Sequence, residues 1–157
     1  VLLDLDGGAD LYGGKYKFDV LKSTSIVDIK NSIVWLLTQK HQYQTLIFDP
    51  VTVYWELLIK FWSDTFVKRN SGYKANKHEF YDLGPKEWNT IRADFRRLFD
   101  KLNDLDMNLI VTAREAVKMR RDGGDFVADG VRFDGEKGMP YLSIPCFACT
   151  ETATGIW

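Results

Sequence analysis

The chain has 157 residues, 45% of them hydrophobic and 14% aromatic, and a formal net charge of -1. This length suits a single domain with its own core. The near-zero charge gives no bulk electrostatic argument for binding to nucleic acid or to a membrane surface. No apolar run approaches the roughly 18 residues of a spanning helix, so we expect no membrane partner. Because the only cysteines are Cys146 and Cys149 and no signal-peptide pattern is visible, we expect a cytoplasmic protein.

The predicted elements alternate between short apolar strands and amphipathic helices. The first strand, VLLDL, is stopped by the turn sequence Asp6-Gly7-Gly8. Ser25 is a favoured helix N-cap, and Pro85 fits the first turn of a helix. The pattern predicts strands at 1–5, 17–21, 45–48 and 107–112, helices at 25–40, 51–69 and 85–103, and a loop at 70–84.

This alternation predicts an α/β fold in which helices cover a mostly parallel sheet. Ligands of such sheets bind beyond the carboxyl ends of the strands. Asp6, Asp49 and the segment 112–114 each follow a predicted strand, so we expect them at one edge of the sheet. Beyond Arg121, the pairs at 129–130 and 134–135 read Asp-Gly, which predicts hairpin turns there.

Residues 44–55 read QTLIFDPVTVYW, an apolar strand that ends in an aspartate and leads into a helix. This pattern is typical of the Walker B motif of P-loop NTPases, whose carboxylate faces Mg²⁺. The phosphate loop of such proteins reads G-x-x-x-x-G-K-[ST]. The nearest approach is 9–16 (ADLYGGKY), where Ala9 replaces the first glycine, Tyr16 replaces the hydroxyl residue, and no helical pattern follows. We therefore predict that the 157 residues contain no phosphate loop.

Three segments together resemble the RecA-like phage nucleotide-binding proteins of the AAA-type ATPase class. They read VLLDLDGGAD (1–10), YQTLIFDPVTVYWELL (43–58) and GPKEWNTIRADFRRLFDKLNDLDMNLIVTAREA (84–116), and the resemblance covers about residues 1–140. It implies a RecA-like sheet, with ATP and Mg²⁺ as cofactors of the parent protein. It also implies an ATPase of DNA recombination or replication in a bacterial or phage-infected cell, with single-stranded DNA and further copies of the chain as candidate partners.

The resemblance implies a role for three of the strand-end residues. Asp49 matches the acidic residue that orients Mg²⁺, Asp6 the one that polarises the attacking water, and Thr112 the polar residue that senses the γ-phosphate. Arg114 is a candidate phosphate contact. Simpler readings stay open: Asp49 as the N-cap of the following helix, Asp6 as a turn residue and Thr112 as a buried β-branched residue.

The sequence departs from the family pattern at several places. Asp6 stands where glutamate is frequent, Pro50 stands where serine is usual, and the tail 143–157 does not resemble the family's closing strands. We therefore expect 1–142 to be a truncated core without its first, phosphate-loop strand, and 143–157 to be an atypical tail. Such a chain alone should bind ATP poorly and hydrolyse it negligibly. The alternative is a non-catalytic RecA-like module that binds a protein or single-stranded nucleic acid, for which the basic residues near Arg120 are candidates.

Overall fold

A four-stranded parallel sheet forms the centre of the computed structural model, which describes residues 1–12, 14–69, 83–139 and 142. The strand order is β2-β1-β3-β4, and every neighbouring pair is parallel. This confirms the predicted α/β class and agrees with a RecA-like sheet. The strands are β1 (Leu2–Asp4), β2 (Val20–Lys22), β3 (Thr45–Asp49) and β4 (Asn108–Val111).

Three long helices flank this sheet, and their starts follow the predicted capping chemistry. The Ser25 hydroxyl accepts a hydrogen bond from the Asp28 N–H at 3.3 Å, as an N-cap does. Pro85 occupies the first turn of its helix, where its missing N–H is not needed. The helices are α1 (Ile26–Thr38), α2 (Val51–Arg69) and α3 (Pro85–Asn103), and a short 3₁₀ turn covers Gly8–Leu11.

The core lies where the helices meet the sheet. The buried face of α3 consists of apolar residues at helical spacing, with Phe95 and Phe99 fully enclosed. On α2 the central residue is Tyr54, which packs edge-on against Phe48 with ring centroids 5.6 Å apart. Trp55, also on α2, contacts the same core from a half-buried position. Aromatic packing therefore joins α2 to β3 and to α3, whereas α1 contributes the buried Ile26, Ile29 and Ile33.

An antiparallel hairpin follows the sheet, made of β5 (Glu115–Asp122) and β6 (Asp125–Phe133). Its turn is Gly123-Gly124, where φ is +60° and +120°. Glycine adopts such positive φ angles without strain, and this allows the chain to reverse at Gly123-Gly124. The predicted turns at 129–130 and 134–135 are therefore wrong as hairpin turns. The first lies inside β6 beside an irregularity in strand register, and the second follows the end of β6.

Both outer strands of the sheet, β2 and β4, have one edge without a partner strand among the described residues. Ile110 on β4 is 50% exposed. The absence of a first, phosphate-loop strand stays a prediction. Most of the predicted loop 70–84 and the tail 143–157, with both cysteines, lie outside the described residues. Within the described ranges, no helix has the length and apolarity needed to cross a membrane.

Candidate functional site

The carboxyl ends of β1, β3 and β4 lie side by side, because β3 pairs with the other two strands. The connections beyond the strands are joined by backbone hydrogen bonds. The Leu5 N–H donates to the Asp49 carbonyl at 2.8 Å, and the Val51 N–H donates to the Thr112 carbonyl at 2.8 Å. The structure therefore brings the predicted residues to one edge of the sheet, as the parallel topology requires.

Asp49 and Thr112 form the first pair at this edge. The Thr112 hydroxyl donates a hydrogen bond to Asp49 Oδ1, and both residues are half-buried. Asp49 lies opposite Asp4 of the neighbouring strand β1. The first N–H of α2, that of Val51, donates to the Thr112 carbonyl. The geometry thus places the Asp49 carboxylate at the end of the central strand and holds it with a hydroxyl, which differs from a plain helix N-cap.

Asp6 and Arg114 form the second pair. Arg114 Nη2 lies 3.3 Å from Asp6 Oδ2, and the two side chains are 50% and 34% exposed. The backbone of Arg114 is held by α2, because its N–H donates to Thr52 Oγ1 at 2.9 Å. Thr52 Oγ1 in turn donates to the Asp134 carbonyl at 2.6 Å. The buried Thr52 thus ties α2 to both ends of the hairpin and positions Arg114.

Sequence reasoning missed Thr52 and also Asp4, the most buried carboxylate of the site. Asp4 is only 1% exposed, yet it carries three hydrogen bonds from backbone N–H groups. Gly7 N–H donates at 2.8 Å, Ala9 N–H at 3.1 Å and Asp6 N–H at 3.3 Å. These bonds shape the turn that presents Asp6, with Gly7 at φ +87°. The available signal was a charged residue inside the apolar run VLLDL.

The glycine-rich turn after β1 does not form a phosphate cradle. A phosphate loop binds its ligand with free backbone N–H groups. Here the Gly7 and Gly8 N–H groups donate to the carboxylates of Asp4 and Asp6. The Gly-Gly-Lys sequence ending at Lys15 leads into a turn, irregular chain and then β2, whereas a phosphate loop leads into a helix. The N–H groups of Gly7 and Gly8 are therefore occupied by the turn itself.

The arrangement fits a magnesium ion that keeps most of its water. Mg²⁺ prefers one or two protein carboxylates together with water and substrate phosphate oxygens. Asp49 supplies one carboxylate beside a hydroxyl. Within the described ranges, no cluster of three or more acidic, histidine or cysteine side chains forms a closed metal cage. A single accessible carboxylate at a strand end therefore fits a metal that arrives bound to phosphate.

A family model described as an AAA domain matches residues 1–140. The chain belongs to this AAA family. It is thus an AAA-type, P-loop ATPase-like domain, and nucleotide binding with Mg²⁺ is the general property of the class. The matched range contains the whole sheet, the three helices and the hairpin. No curated protein and no solved structure matches the chain.

Proposed function

We propose that this AAA domain carries the magnesium-binding and water-orienting half of an ATP-hydrolysis site. The parent protein would be a phage-type, RecA-like ATPase of DNA recombination or replication. The observation that carries this proposal is the convergence of two polar pairs, Asp49 with Thr112 and Asp6 with Arg114, beyond three adjacent strand ends. Phosphoryl transfer to water depends on charge stabilisation and an oriented nucleophile, for which such groups are suited.

Each residue would have a distinct task. Asp49 would hold Mg²⁺, which when bound neutralises the charge of the β- and γ-phosphates. The Thr112 hydroxyl donates its single O–H to the Asp49 carboxylate. When ATP is bound, this O–H would turn to a terminal phosphate oxygen. Asp6 would accept a hydrogen bond from the attacking water and so orient it. Arg114, now paired with Asp6, is long and exposed enough to turn towards a phosphate.

The groups that bind the phosphates of ATP would come from outside the described residues. Asp6 and Asp49 carry two negative charges and Arg114 one positive charge, so these three site residues attract a divalent cation but repel a polyphosphate. The turn glycines have no free N–H groups to offer, because Gly7 and Gly8 bond to carboxylates. We therefore expect this chain alone to bind ATP weakly and to hydrolyse it negligibly.

A titration of the ¹⁵N-labelled chain with MgATP, followed by amide chemical shifts, tests this proposal. We expect gradual shifts near Asp6, Asp49 and Thr112 with a Kd weaker than about 1 mM, which corresponds to less than about 4 kcal/mol of binding free energy. Asp49→Asn should abolish them, and the exposed control Asp64→Asn should not. Tight saturable binding, or shifts that Asp49→Asn leaves unchanged, would contradict the assignment.

A second candidate function is a non-catalytic binding module that uses the hairpin. Phe126 is 70% exposed and Met119 is 52% exposed, so one hairpin face presents apolar side chains to solvent. Single-stranded DNA could stack its bases on Phe126, or a second copy of the chain could cover the face. The basic residues are partly neutralised, since Lys118 Nζ lies 3.2 Å from Asp129 and Arg120 Nη2 lies 3.3 Å from Asp122.

Fluorescence anisotropy with a labelled oligothymidine, at low and at moderate salt, tests the DNA-binding form of this candidate. Binding that weakens with salt and is lost in Phe126→Ala would support it. Analytical ultracentrifugation of the same two proteins tests the alternative of self-association. A monomer that binds no oligonucleotide would remove both forms of the second candidate and leave the ATPase proposal standing.

A further inference from the structure

A cavity of about 510 Å³ lies at the opposite edge of the sheet from the candidate nucleotide site. It opens between α1 and the amino ends of the strands, where Val1 precedes β1 and Asp19 precedes β2. Its volume falls in the range of small-ligand sites, which are mostly apolar with a few placed polar groups. Because the proposed ATP site uses only carboxyl-end residues, this cavity is structurally independent of it.

One wall of the cavity belongs to a row of three aromatic rings. Trp35 stacks on His41 with centroids 6.0 Å apart and planes 22° apart, and His41 contacts Tyr43 at 5.5 Å. Trp35 and Tyr43 line the cavity, and 48% of Trp35 is exposed. His41 is fixed behind them, since its Nε2 lies 2.8 Å from the Leu36 carbonyl oxygen. The row therefore offers a supported flat surface to a ligand.

The charged side chains that line the cavity are both acidic. Asp19 and Asp28 supply carboxylates, and Asn31 adds an amide. Hydrogen bonding to the Asp19 carboxylate raises the pKa of the Tyr43 phenol. The backbone nitrogen of Val1, at the mouth of the cavity, donates to the Thr45 carbonyl at 2.8 Å. Carboxylates beside aromatic faces form the environment in which proteins bind organic cations.

We propose that this cavity binds a guanidinium group, stacked on Trp35 and hydrogen-bonded to Asp19 and Asp28. A guanidinium is planar and weakly hydrated, stacks on aromatic faces, and presents several N–H donors in a rigid fork. The two carboxylates and the Asn31 carbonyl are acceptors for those donors. An alkylammonium matches less well, because its compact, strongly hydrated charge does not stack. The ligand would be either a free guanidino compound or an arginine side chain of a protein segment.

The first experiment titrates the ¹⁵N-labelled chain with N-acetyl-arginine amide and, separately, with N-acetyl-citrulline amide. Citrulline has nearly the same shape but no charge, so it isolates the contribution of the cation. We expect saturable shifts at the Trp35 indole and the Asn31 amide for the arginine probe, and at least tenfold weaker binding for the citrulline probe. A tenfold ratio corresponds to about 1.4 kcal/mol. Equal binding of both probes, or no saturation by either, would overturn the proposal.

Variants then test the named contacts. Asp19→Asn and Trp35→Leu should each weaken the arginine probe at least fivefold, whereas the exposed Asp64→Asn on α2 should leave it unchanged. Amide spectra confirm that each variant is folded. Asp28→Asn provides a second carboxylate test if Asp19→Asn does not fold. Unchanged affinity in the folded carboxylate variants would overturn the assignment.

A tripeptide with arginine at its centre distinguishes the two sources of the group. Tighter binding of the tripeptide than of the single amino-acid amide indicates a protein segment, and equal binding indicates a free guanidino compound. Both outcomes support the shared guanidinium chemistry. If the tripeptide binds no more tightly than its citrulline counterpart, the proposal fails for both sources.

Discussion

Replacement of Asp4 should destabilise the fold more than its position on a three-residue strand suggests. The carboxylate is 1% exposed and accepts N–H groups at 2.8, 3.1 and 3.3 Å. A hydrogen bond to a charged group contributes about 1.5–3 kcal/mol, and buried donors left unpaired add to the loss. Counting the two shorter bonds, Asp4→Ala should lower the free energy of unfolding by about 3–6 kcal/mol. That is a large fraction of the roughly 5–15 kcal/mol of an ordinary domain.

Urea unfolding followed by tryptophan fluorescence measures this loss. Asp4→Asn gives a graded comparison, since it keeps one acceptor oxygen and loses the bond to the Ala9 N–H, about 1.5–3 kcal/mol. Asp10→Asn is the matched control, because its carboxylate is 72% exposed and pairs with Lys22 at the surface. Its effect should stay within about 1 kcal/mol. If Asp4→Ala were no more harmful than Asp10→Asn, the role of Asp4 in shaping the turn would be refuted.

Three further outcomes follow from the described contacts. Burial and the nearby Asp94 carboxylate raise the pKa of Tyr54, so the folded state favours the neutral phenol. The unfolding free energy should therefore fall above pH 10, by at most about 1.4 kcal/mol per pH unit from this group, and Tyr54→Phe should remove that component in urea melts at pH 9 to 11. Thr112→Val should lower stability by about 1 kcal/mol, with Thr112→Ser recovering most of it in the same assay. Gly124→Ala, at φ +120°, should loosen the hairpin, seen as faster amide exchange in β5 and β6 but not in β3.

The sequence was sufficient for the layered fold because the long-range rules act on patterns that are visible locally. Apolar runs predicted β1, β3 and β4, whereas the predicted strand at 17–21 overlaps β2 by two residues. The hairpin turn was misplaced because the local sequence alone does not choose between candidate turns. Both Asp-Gly and Gly-Gly pairs satisfy the φ > 0 requirement of a tight turn, and the register that chooses Gly123-Gly124 depends on cross-strand pairing.

The candidate site was predictable in outline and not in its contacts. Because Asp6, Asp49 and Thr112 each follow a strand of a parallel sheet, they were predicted at the edge where ligands of such sheets bind. The bond from Thr112 to Asp49 and the pair of Arg114 with Asp6 depend on side-chain directions that spacing does not give. Asp4 was missed because a charged residue in a strand is ordinarily expected at the surface. Only the three-dimensional turn supplies the N–H groups that allow its burial.

The most direct test of the proposed magnesium site uses Mn²⁺, which replaces Mg²⁺ at oxygen ligands and broadens nearby amide signals. We expect a low concentration of Mn²⁺, added together with ATP, to broaden signals around Asp49 and Thr112 first. Excess MgATP should restore them, and Asp49→Asn should remove the effect while Asp64→Asn keeps it. Selective broadening elsewhere, or broadening at this edge that survives Asp49→Asn, would contradict the assignment of Asp49 as the metal-facing carboxylate.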